Sequence, residues 1–367
     1  MIPVARPCLG EEELEEVRKV FESGWLGMGA WVKKFEDELK DFFNVKHVIA
    51  VNTGTSAIHL ALVSCGIKQG DEVIVPSLTF AATIQAIVAT GASVVFCDVQ
   101  PDTLNLDPED VKKRVSSKTK AIVPVHYRGY PCEMDQLKNI AKQHRLRIIE
   151  DAAHAFGSKY RGKKIGSFGD VTCFSFDPIK IITCGEGGAI VTNDDDVAIA
   201  AEKGRILGIN KDTWSRYKHE RSWFYDVETI GFRYHMSNIN AAIGIVQMKK
   251  FPRFLERRLE IVKLYDENLK NINGIKLLKT DYRSMAPFCY IIRAEQRDNL
   301  MAYLKKNDID SGIHYIPNHL QSFFSKYKTS LPITEKIWNE ILTLPLYYGL
   351  QNEQVLMICD RIKNFYS

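Results

Sequence analysis

The sequence predicts an α/β protein: a large domain on a mostly parallel seven-stranded sheet flanked by helices, followed by a smaller C-terminal α+β domain. Three observations carry this. Seven short apolar, β-branched runs recur between residues 47 and 193, helical patterns separate several of them, and the pattern turns charged and helical from about residue 245. Continuous apolar strands joined by helical crossovers are buried on both faces, which is the habit of parallel sheets.

The runs are HVIAV (47–51), EVIVP (72–76), SVVFCDV (93–99), AIVPVH (121–126), RIIED (147–151), VTCFSF (171–176) and AIVTN (189–193). Helical segments are expected over Thr55 to Cys65, Phe80 to Thr90 and Met134 to His144. The uncharged stretch from Pro76 to Cys97 is long enough to raise a membrane span, but Thr79, Thr83, Gln85, Thr90, Gly91 and Ser93 interrupt it. A buried helix followed by a strand accounts for it better. Beyond the sheet, a charged helix over Val246 to Lys270 with a bend at Pro252 leads into GIKLLK, APFCYIIRA, a helix near Arg297 to Asn307, and SGIHYIP. The expected division is therefore 1–245 for the large domain and 246–367 for the small one, with the N-terminal segment free to pack against the latter.

Composition narrows the function. With 45% hydrophobic and 26% charged residues over 367 positions, the chain has enough apolar content for a sizeable core. Its net charge of +4 comes from scattered residues, so neither nucleic acid nor a membrane surface is an expected partner. The eight cysteines include no CxxC pair and lie mostly in apolar runs, as reduced thiols of a cytoplasmic protein do. The opening residues, MIPVARPCLGEEELEE, meet acidic charge at once and do not read as a signal peptide. The histidines show no HExxH or other short paired spacing, so no metal is expected.

Chemistry is sought at the carboxyl ends of the strands, where ligands gather in such sheets. RIIED ends on Asp151, which taken alone reads as a helix cap or turn residue. VIAV runs into NTGTS, placing Gly54, Thr55 and Ser56 at a helix start whose N–H groups suit a phosphate, although glycines there are also ordinary turn residues. Phe80 follows EVIVP, and Ser175 ends VTCFSF. Lys180, in SFDPIKIITCGEGG, lies between two strand-like apolar runs and ahead of Gly185, Gly187 and Gly188. An amine, an acid, an aromatic, a hydroxyl and a phosphate seat together suit pyridoxal 5′-phosphate (PLP), whose aldehyde bonds lysine and whose pyridinium nitrogen pairs with a carboxylate. Burial among Ile179, Ile181 and Ile182 is expected to lower the basicity of Lys180.

The segments NTGTSAIHLAL, DEVIVPSLTFAAT, IIEDAAHAFGS, SFGDVTCFSFDPIK, GEGGAIVTND, GFRYHMSNINAAIG and GIHYIP resemble, in order and over nearly the whole chain, those of the DegT/StrS family of sugar-nucleotide aminotransferases. That resemblance implies a fold type I PLP-dependent transferase, a homodimer with shared active sites, L-glutamate as amino donor and a nucleotide-linked keto sugar as acceptor. It implies Lys180 as the Schiff-base lysine, Asp151 as partner of the pyridine nitrogen, His154 near the ring oxygen and Phe80 stacked on the ring. Gly54, Thr55, Ser56 and Ser175 take phosphate-contacting positions. The cofactor would alternate between PLP and pyridoxamine phosphate.

Arg233 stands where the family commonly has an asparagine that reaches the neighbouring subunit's phosphate. It suits that phosphate or the substrate's diphosphate, or lies exposed without a role. His235 replaces a common arginine and receives no assignment. Tyr315 and His319, in HYIPNH, are candidate substrate contacts, with core packing the alternative for Tyr315. The aromatic segment holding Trp214, Tyr217, Trp223, Phe224 and Tyr225 reads either as a loop at the dimer interface that helps hold the nucleotide or as interior packing. The expected product is a 4-amino sugar made from a 4-keto-6-deoxy precursor for surface polysaccharide of O-antigen type. A 3-keto acceptor and a non-catalytic PLP-fold regulator are the alternatives, and a dehydratase of the same family would carry histidine at position 180.

Overall fold

The computed structural model describes residues 1–209, 225–327 and 329–367. The seven runs form strands β1 (His47–Val51), β2 (Glu72–Pro76), β3 (Ser93–Cys97), β4 (Thr119–Ile122), β5 (Arg147–Asp151), β6 (Val171–Ser175) and β7 (Gly188–Thr192). They assemble in one sheet in the order β1-β7-β6-β5-β4-β2-β3. Only β7 runs antiparallel to its neighbours, so β1 to β6 all point their carboxyl ends to one edge.

Alternation along the strands explains why both faces are covered. Ile49 and Val51 of β1 enter one core with Val73, Val75, Cys173 and Ile190, while Val48 and Ala50 enter the opposite core with Phe174, Ala189 and Val191. Helices α3 (Gly54–Ser64), α4 (Ala81–Ala89) and α7 (Asp195–Gly204) cover the first face, and α2 (Ala30–Phe43), which follows α1 (Glu11–Glu22), packs on the second. Helices α5 (Pro108–Arg114) and α6 (Met134–His144) complete the layers around β3 to β5. Pro76 to Cys97 forms a buried helix and a strand, and among the described residues no helix is long and apolar enough to cross a membrane.

The long helix α8 (Asn238–Leu269) starts eight residues before the expected Val246 and continues through Pro252. Its start is set by Ser237, whose hydroxyl accepts the Asn240 N–H at 3.2 Å as an N-cap. Ala241, Ile245, Phe251 and Phe254 pack with the large sheet, whereas Ile261, Val262, Tyr265 and Leu269 pack with a second sheet, so α8 runs straight through the expected 245/246 division. That second sheet is antiparallel, in the order β8 (Ile275–Leu277), β9 (Tyr290–Ala294), β10 (Ile341–Leu344). It is backed by α9 (Arg297–Lys306) and α11 (Asn352–Tyr366), with α10 (Pro332–Trp338) leading into β10. The N-terminal segment joins it: Ile2 donates to the Asp308 carbonyl at 2.7 Å and accepts from Asp310 N–H at 2.9 Å.

Lys180 stands between two strands, as expected, but on a loop. Residues 177–187 form a bent loop between β6 and β7, turned by Asp177, which accepts the Ile179 N–H on its side chain at 3.1 Å and the Lys180 N–H on its carbonyl at 3.1 Å. Ile181 and Ile182 are buried because they anchor this loop in the core against α2 and α8.

Candidate active site

A cavity of about 230 Å³ opens at the carboxyl edge of the sheet, lined among others by Thr55, Phe80, Asp151, His154, Ser175 and Lys180. A wider cleft of about 420 Å³ elsewhere is bordered by charges such as Lys33, Asp37, Glu36 and Arg205 that already pair with one another, and holds no comparable set of reactive groups. The smaller cavity carries the chemistry.

One end of the cavity is built by the β1–α3 junction. Thr53 caps α3, accepting the Ser56 N–H at 3.0 Å, while the Ser56 hydroxyl donates to Asn52 Oδ1 at 2.6 Å and accepts the Thr53 N–H at 3.1 Å. The N–H groups of Gly54 and Thr55 belong to the first helical turn and have no intrahelical acceptor, and both residues line the cavity, an arrangement suited to an anion. Glycine is needed here for closeness: a Cβ on Gly54 would lie 2.7 Å from Ser175 Cβ, and one on Gly188 only 2.4 Å from the Thr53 carbonyl oxygen. This contact brings the Ser175 hydroxyl to the same end as the exposed Thr55.

At the other end Asp151 closes β5. One of its oxygens accepts the Thr83 hydroxyl at 2.7 Å, and the other the Ala153 N–H at 3.1 Å. Burial nonetheless raises its carboxyl above the ordinary range, opposed by those donors and by the nearby charge of Lys180. Lys180 is the mirror case. Burial lowers its ammonium below the usual lysine range, and Asp177 and Asp151 pull the other way. Its immediate surroundings are not the flanking isoleucines: Ile179 is exposed, and the Lys180 Nζ instead stands 4.3 Å from the centre of the Phe288 ring.

His154 lies between these groups and the smaller sheet. Its Nε2 is 3.0 Å from the Tyr315 hydroxyl, its Nδ1 is buried without a partner, and burial beside Lys180 keeps the ring neutral. Phe80 projects at the rim, 57% exposed, with its ring 5.4 Å from that of Tyr315. An amine of lowered basicity, a carboxylate, an orphaned ring nitrogen, an exposed aromatic face and a phosphate cradle fit PLP group by group.

The DegT/DnrJ/EryC1/StrS aminotransferase family model matches residues 7–363. The chain belongs to this family. The GDP-perosamine synthase of Escherichia coli O157:H7 is 38% identical over 371 residues, covering 100% of this chain and 99% of that protein. The spore coat polysaccharide biosynthesis protein SpsC of Bacillus subtilis is 37% identical over 379 residues, covering 99% and 96%. Among solved structures, Spr1654 of Streptococcus pneumoniae, described as a sugar aminotransferase and captured in its PMP form, superposes with a TM-score of 0.94 at 30% identity over 99% of this chain and 98% of its own. The protein is thus a PLP-dependent sugar aminotransferase of fold type I.

Within this aminotransferase the structure brings Gly54, Thr55, Phe80, Asp151, His154, Ser175, Lys180 and Tyr315 around one cavity. Three expected residues, Ser56, His319 and Arg233, do not line it. Ser56 is buried, and both its N–H and its hydroxyl are committed to capping α3, so neither is free for a phosphate. His319 is buried beneath the site: Nδ1 takes the Ser77 hydroxyl at 2.7 Å, and Nε2 lies 3.3 Å from Glu335 Oε1. Those three residues order as hydroxyl, imidazole and carboxylate, but Ser77 is fully enclosed and its oxygen also accepts the His319 N–H, so no substrate reaches it. Arg233 is exposed, outside the cavity of its own chain. Trp214, Tyr217, Trp223 and Phe224 lie outside the described residues, and Tyr225 is exposed.

Sequence reasoning missed Thr83, His314 and Phe288. Thr83 lies one turn into α4 and carries no motif. His314 sits beside Tyr315 on the cavity wall, where Thr343 holds its Nδ1 at 2.9 Å and burial lowers its pKa to about 4. Its signal was present in HYIPNH. Phe288 had none, being one more apolar residue ahead of a strand. All eight cysteines are free, six of them buried, and among the described residues no cluster suits a metal ion.

Proposed function

We propose that this aminotransferase moves an amino group from L-glutamate to a nucleotide-linked 4-keto-6-deoxy sugar for a surface polysaccharide of O-antigen type. The observation that carries the reading is the pairing, across one cavity, of the lowered-pKa Lys180 with the buried Asp151, beside the Gly54, Thr55 and Ser175 phosphate seat. Whole-length similarity to a GDP-perosamine synthase and to a spore coat polysaccharide protein supports a nucleotide-linked sugar as acceptor.

PLP, when bound, supplies an electron sink for the carbanion formed at the donor's α-carbon. Lys180 would hold the cofactor, and its amine, of lowered basicity, is the group that would move the donor's α-carbon proton. Asp151, ionised, keeps the pyridine nitrogen protonated, and Thr83 orients it. His154, through its unpartnered Nδ1, and Phe80, through its exposed ring, would help hold and orient the cofactor. The N–H groups of Gly54 and Thr55 and the Ser175 hydroxyl hold the phosphate, and Tyr315 borders the sugar. Two chains pair so that Arg233 of one reaches the phosphate in the other. The exposed position of Arg233, the lack of any arginine among the residues lining its own chain's cavity, and the exposed Phe80, Ile179, Ile316 and Leu320 near that cavity support this pairing. The enzyme works in the cytoplasm, where its thiols stay reduced.

Borohydride treatment of the protein loaded with PLP, followed by peptide mass mapping, should place the label on Lys180; a label elsewhere overturns the site. Nitrogen-15 L-glutamate with a candidate acceptor should give a product whose heavy nitrogen is on C4 by NMR. Nitrogen on C3 would assign the enzyme to 3-keto sugars instead.

A further inference from the structure

We propose that Phe288 is a positioning residue of the site, its one ring seating both the Lys180 amine and the His154 imidazole. The ring lies nearly parallel to that of His154, with centroids 4.1 Å apart and planes 14° from parallel. Nζ of Lys180 stands 4.3 Å from its centroid, and His314 meets it edge-on at 6.0 Å and 89°. Among the described residues the Lys180 amine makes no hydrogen bond or ion pair, so this aromatic face is the contact that holds it.

The ring is itself held from both sides of its backbone. The Phe288 N–H donates to the Arg128 carbonyl at 3.1 Å, and its own carbonyl accepts from Arg258 Nη1 at 3.0 Å. Arg258 extends from α8 and also donates to the carbonyls of Pro287 and Leu346, each at 3.3 Å. Its side chain is buried in the core between the two sheets, which restrains the ring beside both partners. Lys180 and His154 hang from the large sheet, while Phe288 precedes β9 of the smaller one, so the smaller sheet sets the posture of two groups it does not carry.

The electron-rich face of an aromatic ring attracts an ammonium, and the attraction grows when water is excluded. Around Lys180 this opposes the loss of hydration. The other groups facing the amine are Asp177, Asp151 and Cys289, with neutral His154 and His314, the Tyr315 hydroxyl and Glu186 on the cavity wall. Removing the ring leaves the amine desolvated without its attractive face, so its affinity for a proton falls.

The inference rests on Lys180 being the cofactor lysine, but its test does not. Competitive acylation of the full, cofactor-free chain, read on the Lys180 peptide as a function of pH, reports the amine directly. Phe288→Leu should move that curve to lower pH by about 0.4 to 1.5 units, and Phe288→Tyr should leave it in place. Fluorinated phenylalanines at position 288, which weaken the face with little change of shape, should give graded shifts in the same direction and decide the matter if the leucine variant misfolds. An unmoved curve across the fluorinated series, or identical shifts for leucine and tyrosine, overturns the proposal. Failure of borohydride to label Lys180 would instead remove the cofactor reading and leave this coupling standing.

Discussion

Asp151 meets opposite demands with and without a cation beside it. Burial raises its carboxyl in the folded chain, so the neutral form is the one the cofactor-free fold prefers. By linkage, its contribution is most favourable below the unfolded pKa and is lost as pH rises through that value toward the raised folded one. Thermal melts of the cofactor-free protein should therefore show stability falling across the carboxylate range, and Asp151→Asn should remove that component. The same substitution should cost roughly 10²- to 10³-fold in kcat, the usual scale for a lost preorganised charge, as steady-state kinetics would show. On the proposed role of Asp151 a pyridinium opposite it would supply the missing counter-charge, so PLP binding should abolish the pH trend in the wild type. Lys180 and Asp151 were legible in the sequence because each sits at a strand end or loop whose neighbours make a charge conspicuous. Phe288 was not, since nothing along the chain separates a ring that packs a core from a ring that seats an amine.

The β1–α3 junction separates two roles that NTGTS runs together. Ser56 stabilises the helix and Thr55 faces the cavity, although both are small hydroxyl residues and adjacent. Ser56→Ala should lower stability by about 1 kcal/mol in denaturant titration, the scale of a lost cap, and leave PLP affinity near wild type. Ser175→Ala should do the reverse, weakening PLP binding with little change in melting. Gly188→Ala should damage both, because its Cβ would push into the Thr53 carbonyl and displace the turn that presents those N–H groups. The strands 47–51, 72–76 and 147–151 were readable end to end because an apolar run bounded by polar residues has little alternative in a parallel sheet. The residues next to Lys180 look strand-like for a related reason: Ile181 and Ile182 are apolar because the loop between β6 and β7 is anchored in a core, not because it pairs. The start of α8 at Asn238 was hidden by a polar first turn, whose Ser237 cap is visible only once its bond to Asn240 is seen.

For the assembled molecule, the proposed reach of Arg233 into a neighbouring subunit has a consequence that neither single variant reveals. Lys180→Ala and Arg233→Ala proteins should each be weak or inactive, yet hybrid dimers formed by refolding them together should regain activity at one of two sites. No recovery would place Arg233 in its own subunit's chemistry, and a fully active Arg233→Ala protein would place it outside the chemistry altogether. The change of pattern near residue 245 was readable, and HYIPNH already offered Tyr315 to the site, but the sequence could not say that Phe288 packs against Lys180 and His154. Such approaches depend on packing between sheets, which leaves no local period to follow.

Helix α8 is the mechanical link between these parts. Its first half packs with the large sheet and its second half with the small one, so a single continuous helical rod is shared by both. The built-in weak point is Pro252, which has no N–H to offer the Met248 carbonyl. Any breathing of the cavity in which the smaller part withdraws Phe288 and Tyr315 must flex the rod, and a proline near mid-length tells the molecule where to bend.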